Sequence, residues 1–259
     1  MLMSRILVCG DSFAVADPNY PGSHFTEQIK AVRPDAEILN MAMGGASNSL
    51  IELQIRQAVK FNPTHVVVTF TDPSRLEYMV QWSGFFRLRR SHHTLVQNWP
   101  CQGSGISDWV HRHLLNISTY ITSAHLASSN DNYCKQLIIS EMSDPNYLNG
   151  SRDFIVIKNY FTIVSVLAYL KQSRLPFCFS LGGMDHQSSQ HPSVYSQLTS
   201  VLLNSNGLSD EISEYSDNMI SCNLWNYANF KDNTGPTYHV ADQTVQLAFA
   251  TEIINKLGV

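Results

Sequence analysis

The fold is decided by residues 5–13, RILVCGDSF, where a short apolar run stops at a glycine turn. Continuous apolar runs of this kind are typical of strands covered on both faces in a parallel sheet. Comparable runs follow at residues 36–43, 65–70, 176–181 and 219–225. Helical patterns lie between them, at residues 25–32, 49–61, 155–172 and 240–257. This alternation predicts a flavodoxin-like, doubly wound α/β fold with five parallel strands and a ligand site at their carboxyl ends.

One long segment, residues 79–150, departs from this alternation and follows the third strand. It is rich in Ser, His, Asn and aromatic residues and has no clear strand pattern, although residues 109–127 have a helical one. We expect a single domain over residues 1–259, in which this insertion packs over the active-site edge. Its aromatic side chains suit stacking on a sugar, an acyl pocket or plain core packing.

The composition excludes several classes of protein. Hydrophobic residues make up 44% of the 259 and charged residues 15%, which is typical of a globular chain. A net charge of -4 predicts no binding to nucleic acid. The five cysteines are widely spaced, with no C-x-x-C pair, so we expect neither a metal cluster nor a disulfide framework. With no recognisable signal peptide and no apolar run of about 18 residues, the sequence predicts a cytoplasmic protein without a membrane partner.

Ser12 is the candidate nucleophile, because it stands on a tight turn directly after the first buried strand. A serine in this position exposes its hydroxyl at the carboxyl edge of the sheet. The backbone N–H groups of the turn are then available to a developing oxyanion. The alternative is that Ser12 only caps a helix, a role that serine often fills.

A serine nucleophile needs a base, and His239 is the candidate. It follows the fifth apolar run and precedes the last helix, for which Asp242 is the expected N-cap. This position brings His239 to the same sheet edge as Ser12. A second histidine, His191, is followed by Pro-Ser but comes after the fourth run, and we rank it below His239.

Two stretches resemble a known family. GDSF at residues 10–13 resembles the block that carries the nucleophile in the SGNH (GDSL-type) hydrolases, and the run from Asn40 to Gly45 resembles their second block. The resemblance implies the SGNH hydrolase fold, with Ser12 as nucleophile and the Gly45 N–H in the oxyanion hole. A side chain at Gly45 would block the approach of the oxygen. The alternative role of Gly45 is an ordinary strand-to-helix turn.

Two further blocks depart from the family pattern. Residues 69–72, TFTD, stand where the family has Gly-x-Asn-Asp, so the resemblance puts Thr71 in the place of the asparagine that donates to the oxyanion. Loss of one such donor costs about 3 to 4 kcal/mol of transition-state stabilisation. Pro236 stands where the family has the aspartate that orients the histidine. We therefore expect a Ser–His dyad, or an incomplete triad in which Asp232 or a backbone carbonyl orients His239.

These features predict a serine esterase or deacylase that hydrolyses an ester of a carbohydrate or small molecule and needs no metal or organic cofactor. A second hypothesis is an SGNH-shaped binding or structural protein that has lost catalysis, because two family residues are replaced. A third hypothesis is a flavodoxin-like protein that binds a nucleotide or flavin. It is disfavoured because no glycine-rich phosphate motif follows the first strand.

Overall fold

The structure of the chain is a computed structural model, and it describes residues 4–44, 46–71, 77–79, 120–122, 145–185, 210–229 and 239–259. Its strands are β1 (Arg5–Cys9), β2 (Glu37–Asn40), β3 (His65–Thr69), β4 (Glu77–Met79), β5 (Tyr120–Thr122) and β6 (Phe177–Ser180). Its helices are α1 (Phe25–Val32), α2 (Asn48–Ala58), α3 (Pro145–Gln172), α4 (Asp210–Ser213) and α5 (Gln243–Leu257).

The main sheet is parallel throughout and has the strand order β2-β1-β3-β6. Successive side chains of a strand point to opposite faces. Ile6 and Val8 of β1 join a core cluster with Phe25 of α1 and Phe249 of α5, while Leu7 points to the other face and is equally buried. The sheet is therefore covered on both faces. The predicted α/β fold with a parallel sheet is confirmed, and the strand order is that of flavodoxin-like folds.

The prediction of a fifth strand at residues 219–225 is wrong for most of that run. Met219 makes a single parallel bridge to Phe179, and the Ile220 N–H donates to the Phe179 carbonyl at 2.7 Å. The next two backbone N–H groups, of Ser221 and Cys222, donate instead to the Glu252 carboxylate at 2.6 and 3.0 Å. The carboxylate of α5 thus takes the donors that would have extended the sheet, and a 3-10 turn begins at Leu224.

The four predicted helices are present in the described residues, with some changes at their ends. α1 has the predicted bounds, and α2 continues into a 3-10 turn that ends at Phe61, as predicted. α3 begins ten residues earlier than the pattern indicated, at Pro145 instead of Ile155. Asp242 is the N-cap of α5, because its carboxylate accepts from the Thr244 N–H at 2.8 Å. None of the described helices is long and apolar enough to span a membrane.

The chain divides into two compact units, one formed by residues 1–73 and 156–259 and the other by residues 74–155. The second unit overlaps the segment predicted as an insertion. It contains an antiparallel pairing of β4 with β5, which the sequence pattern did not indicate. The helix predicted over residues 109–127 is wrong at Tyr120–Thr122, which is β5. Three residues of a strand are too few for a periodic signal.

Candidate active site

The candidate nucleophile turn begins after Gly10, at a position where only glycine fits. A Cβ atom at Gly10 would lie 1.9 Å from the Thr69 hydroxyl oxygen and 2.9 Å from the Ala14 Cβ. The Gly10 backbone is also held from both sides by one buried side chain. Its N–H donates to Gln54 Oε1 at 2.9 Å, and its carbonyl accepts from Gln54 Nε2 at 3.2 Å. β1 therefore ends at a fixed point, from which the 3-10 turn of Ser12–Ala14 begins.

Ser12 is half-buried, between the fully buried Asp11 and Phe13. Asp11 caps the 3-10 turn by accepting the Phe13 N–H at 3.0 Å. At the far end of the turn, the Asn40 amide donates to the Ala14 carbonyl at 2.7 Å. The Met43 N–H donates to the Gly10 carbonyl at 3.0 Å, so the second predicted block contacts the first. Among the described residues, neither the Ser12 N–H nor its hydroxyl has a hydrogen-bond partner. Both groups are therefore available to a ligand.

Thr71 is held by hydrogen bonds to two buried side chains. Its hydroxyl donates to Asp11 Oδ2 at 2.7 Å, and its N–H donates to Asn48 Oδ1 at 2.9 Å. Asn48 in turn donates to the Thr71 carbonyl at 3.1 Å and to Asn159 Oδ1 of α3 at 2.8 Å. Thr71 is fully buried, and its single hydroxyl proton is already used. In this structure the Thr71 hydroxyl holds the Asp11 carboxylate.

This network predicts the effect of Thr71→Val, which removes only the hydroxyl. The substitution leaves the buried Asp11 carboxylate with one donor fewer, so we expect a loss of about 1.5 to 3 kcal/mol in the free energy of unfolding. Urea denaturation of both proteins measures the difference. Thr251→Val is the control, because the Thr251 hydroxyl is exposed and donates only to a carbonyl of its own helix. Equal losses in the two variants would contradict a role of Thr71 in holding Asp11.

His239 lies against the nucleophile turn. Its ring meets the Phe13 ring edge to face, with 5.7 Å between ring centroids, and Phe13 also stacks on Trp225 at 4.8 Å. Phe13 is the residue after Ser12, so His239 contacts the turn that carries the predicted nucleophile. Gly45 and Asp232, the other two predicted site residues, lie outside the described residues.

The backbone after His239 is unusual. Val240 has φ +55°, the left-handed region that a β-branched residue rarely adopts. Such a conformation costs on the order of 1–3 kcal/mol and persists only where surrounding contacts enforce it. Here Gln246 of α5 donates to the Val240 carbonyl at 2.7 Å. The loop that carries His239 is thus fixed by a buried side chain of the helix that follows it.

His24 is a site residue that the sequence reasoning missed. It is the N-cap of α1, accepting the Thr26 N–H on Nδ1 at 3.3 Å, so the proton lies on Nε2 and is donated to the Phe13 carbonyl at 3.2 Å. Burial, opposed by this bond and reinforced by the nearby His239, lowers the pKa of His24 from 6.5 to about 4. Glu27, three residues later, completes a capping box. The spacing of His24 and Glu27 was the one pattern in the sequence that indicated a capping role for His24.

The low pKa of His24 predicts how stability depends on pH. In the unfolded chain His24 takes up a proton below about 6.5, whereas in the folded chain it stays neutral down to about 4. The unfolded state binds the extra proton in this interval, so stability falls as the pH is lowered through it, by about 3 kcal/mol. His24→Asn keeps a good N-cap and removes the titration. Denaturation curves between pH 7 and 4 should therefore show a shallower decline in this variant than in the wild type.

Comparison with known proteins gives structural similarity without sequence similarity. No protein-family model matches the chain, and no curated protein matches it. A psychrotrophic esterase, EstA, from Pseudoalteromonas sp. has a TM-score of 0.47 at 10% identity, covering 98% of this chain and 97% of its own. A catalytic mutant of Axe2, an acetylxylan esterase from Geobacillus stearothermophilus, has a TM-score of 0.46 at 10% identity, and the match covers 98% of this chain and 94% of the esterase. A putative lipolytic protein of the G-D-S-L family from Desulfitobacterium hafniense has a TM-score of 0.43 at 7% identity, and the match covers 96% of this chain and 99% of that protein.

Proposed function

We propose that the chain is a serine esterase or deacylase in which Ser12 attacks an ester and His239 is the base. The observation that carries this proposal is the half-exposed Ser12 on a fixed turn at the carboxyl edge of the sheet, with the His239 ring packed on the adjacent Phe13. A nucleophile and a base on neighbouring loops are the minimum that acyl transfer needs.

The reaction follows from these groups. Ser12 Oγ attacks the carbonyl carbon of the ester, while its proton passes to the His239 imidazole. The Ser12 N–H, which has no partner among the described residues, donates to the oxyanion, and the resemblance adds the Gly45 N–H. His239 then gives its proton to the departing alcohol as the carbon–oxygen bond breaks. A water, deprotonated by His239, then attacks the acyl carbon. The bond to Ser12 Oγ breaks, Oγ takes the proton back from His239, and the carboxylic acid leaves.

The proposed substrate is a carboxylic ester of a carbohydrate or small molecule, including an O-acetyl group. No step of the proposed reaction requires a metal or an organic cofactor, since the serine and the imidazole supply the nucleophile and the proton transfer. Because Thr71 is engaged with Asp11, the oxyanion in this proposal depends on backbone N–H groups. In this proposal Asp232 or a backbone carbonyl orients the His239 imidazole.

Labelling with a fluorophosphonate probe tests the proposal. We expect one adduct, on Ser12 by mass spectrometry, in the wild type and none in Ser12→Ala. Ser173→Ala is the matched control, because Ser173 is also partly buried but only donates to a helix carbonyl. It should label like the wild type. An unlabelled wild type, under conditions in which a known serine esterase reacts fully, would sink the proposal and favour the binding-protein hypothesis.

A further inference from the structure

The start of α1 contacts both of the loops that carry the proposed catalytic groups. The His24 imidazole donates to the Phe13 carbonyl, in the turn that holds Ser12. The next residue, Phe25, donates its backbone N–H to Gln246 Oε1 at 2.8 Å. The amide nitrogen of the same Gln246 side chain donates to the Val240 carbonyl, directly after His239.

These bonds form one buried connection between the two loops. His24 is 4% exposed and Gln246 is 1% exposed, so the hydrogen bonds of these two side chains are not weakened by competition with water. The connection joins residues that are 221 positions apart in the sequence. The two side chains also line a narrow crevice together with His239.

The left-handed backbone at Val240 indicates that this connection also affects the position of His239. A left-handed valine relaxes to an extended conformation when its restraint is removed, and that change would swing the neighbouring His239 away from Phe13. The restraint on its carbonyl is the Gln246 amide. A displacement of about 1 Å between reacting groups can cost two orders of magnitude in rate.

We infer that His24 and Gln246 are positioning residues, which set the placement of His239 relative to Ser12 by tying both loops to the start of α1. The inference rests on the proposed function, and it adds two residues that do not touch substrate. His24 holds the nucleophile turn and Gln246 holds the base loop. Loss of either bond leaves both catalytic groups present but misaligned.

A pair of substitutions at His24 separates capping from positioning. His24→Asn keeps the acceptor for the Thr26 N–H, so α1 retains its N-cap, but its shorter side chain does not reach the Phe13 carbonyl. His24→Gln has the opposite effect. Its amide nitrogen takes the place of Nε2 as donor to the Phe13 carbonyl, whereas the acceptor that caps α1 is lost. We expect His24→Asn to slow fluorophosphonate labelling of Ser12 ten- to a hundredfold and His24→Gln to retain most of the rate.

Gln246→Met removes both bonds of the glutamine at similar side-chain length. The control is Gln28→Met on α1, where a half-buried glutamine makes a solvent-exposed hydrogen bond to the Gly22 carbonyl. We expect Gln246→Met to slow labelling to the same extent as His24→Asn and Gln28→Met to leave it unchanged. The same proteins are compared by NMR of the His239 ring protons, assigned by their loss in His239→Ala. These signals should shift in Gln246→Met and not in Gln28→Met.

The two measurements keep the inference distinct from the proposed function. If the wild type labels and both positioning variants label at its rate, the inference is overturned while the esterase proposal stands. If the wild type does not label, the esterase proposal fails, and the NMR comparison still decides whether Gln246 places His239. Unchanged His239 signals in Gln246→Met overturn the inference in either case.

Discussion

Replacement of His239 by alanine is expected to slow the modification of Ser12 by a fluorophosphonate about a thousandfold. A positioned general base contributes roughly 10²- to 10⁴-fold to such a reaction. In the proposed mechanism His239, whose ring packs on Phe13, takes the Ser12 proton, so its removal leaves the hydroxyl without a base. The rate of labelling, followed by intact-protein mass spectrometry, measures the effect directly.

His65→Ala is the matched control for this experiment. His65 is also a partly buried histidine, but it begins β3 and so lies at the amino end of the sheet, away from the proposed site. Its replacement should leave the labelling rate within about twofold of the wild type, since it makes no contact with the nucleophile turn. A wild-type rate in His239→Ala would remove His239 as the base and make His191, which lies outside the described residues, the next candidate.

The second large effect is expected for Gly182→Ala, in the turn after β6. Gly182 has φ +54°, and a Cβ atom there would lie 1.7 Å from the Phe70 carbonyl oxygen. The left-handed conformation costs a non-glycine residue about 1–2 kcal/mol, and forcing an extra carbon into a packed site costs about 1–3 kcal/mol more. We expect a loss of about 3 kcal/mol or more in the free energy of unfolding, measured by urea denaturation.

Gly258→Ala separates the two causes. Gly258 has φ +68°, but a Cβ atom at that position would meet nothing within 4 Å. This control therefore has the conformational penalty alone, and we expect a loss of about 1 kcal/mol. If the two variants lose the same stability, the close approach of Gly182 to the end of β3 does not constrain the fold, contrary to the structure.

The sequence was sufficient where the signal was local. The buried run before Gly10 predicted β1, and the tight turn predicted after it is the 3-10 turn that begins at Ser12. Asp242 was predicted as the N-cap of the last helix, and its carboxylate caps α5. Each of these predictions depended on fewer than about ten neighbouring residues, the range over which periodicity and capping patterns are informative.

The sequence was insufficient where distant groups compete for the same hydrogen bond. The run after Met219 has the composition of a strand, but Glu252 takes its backbone donors from 30 residues away. Thr71 aligns with an oxyanion donor, yet Asp11 accepts its hydroxyl across 60 residues. No local pattern indicates such partners, because only the folded chain brings them together.

The packing of α1 against α5 has a consequence for synthesis on the ribosome. Phe25 and Phe249 meet at 5.0 Å between ring centroids in the same core cluster that covers β1. Until residues 243–257 have left the exit tunnel, this face of the nascent sheet lacks the cover that α5 provides. Chains whose core closes only through such distant partners fold slowly and expose aggregation-prone surface meanwhile. This protein should therefore depend on chaperone binding during translation more than one whose contacts are local.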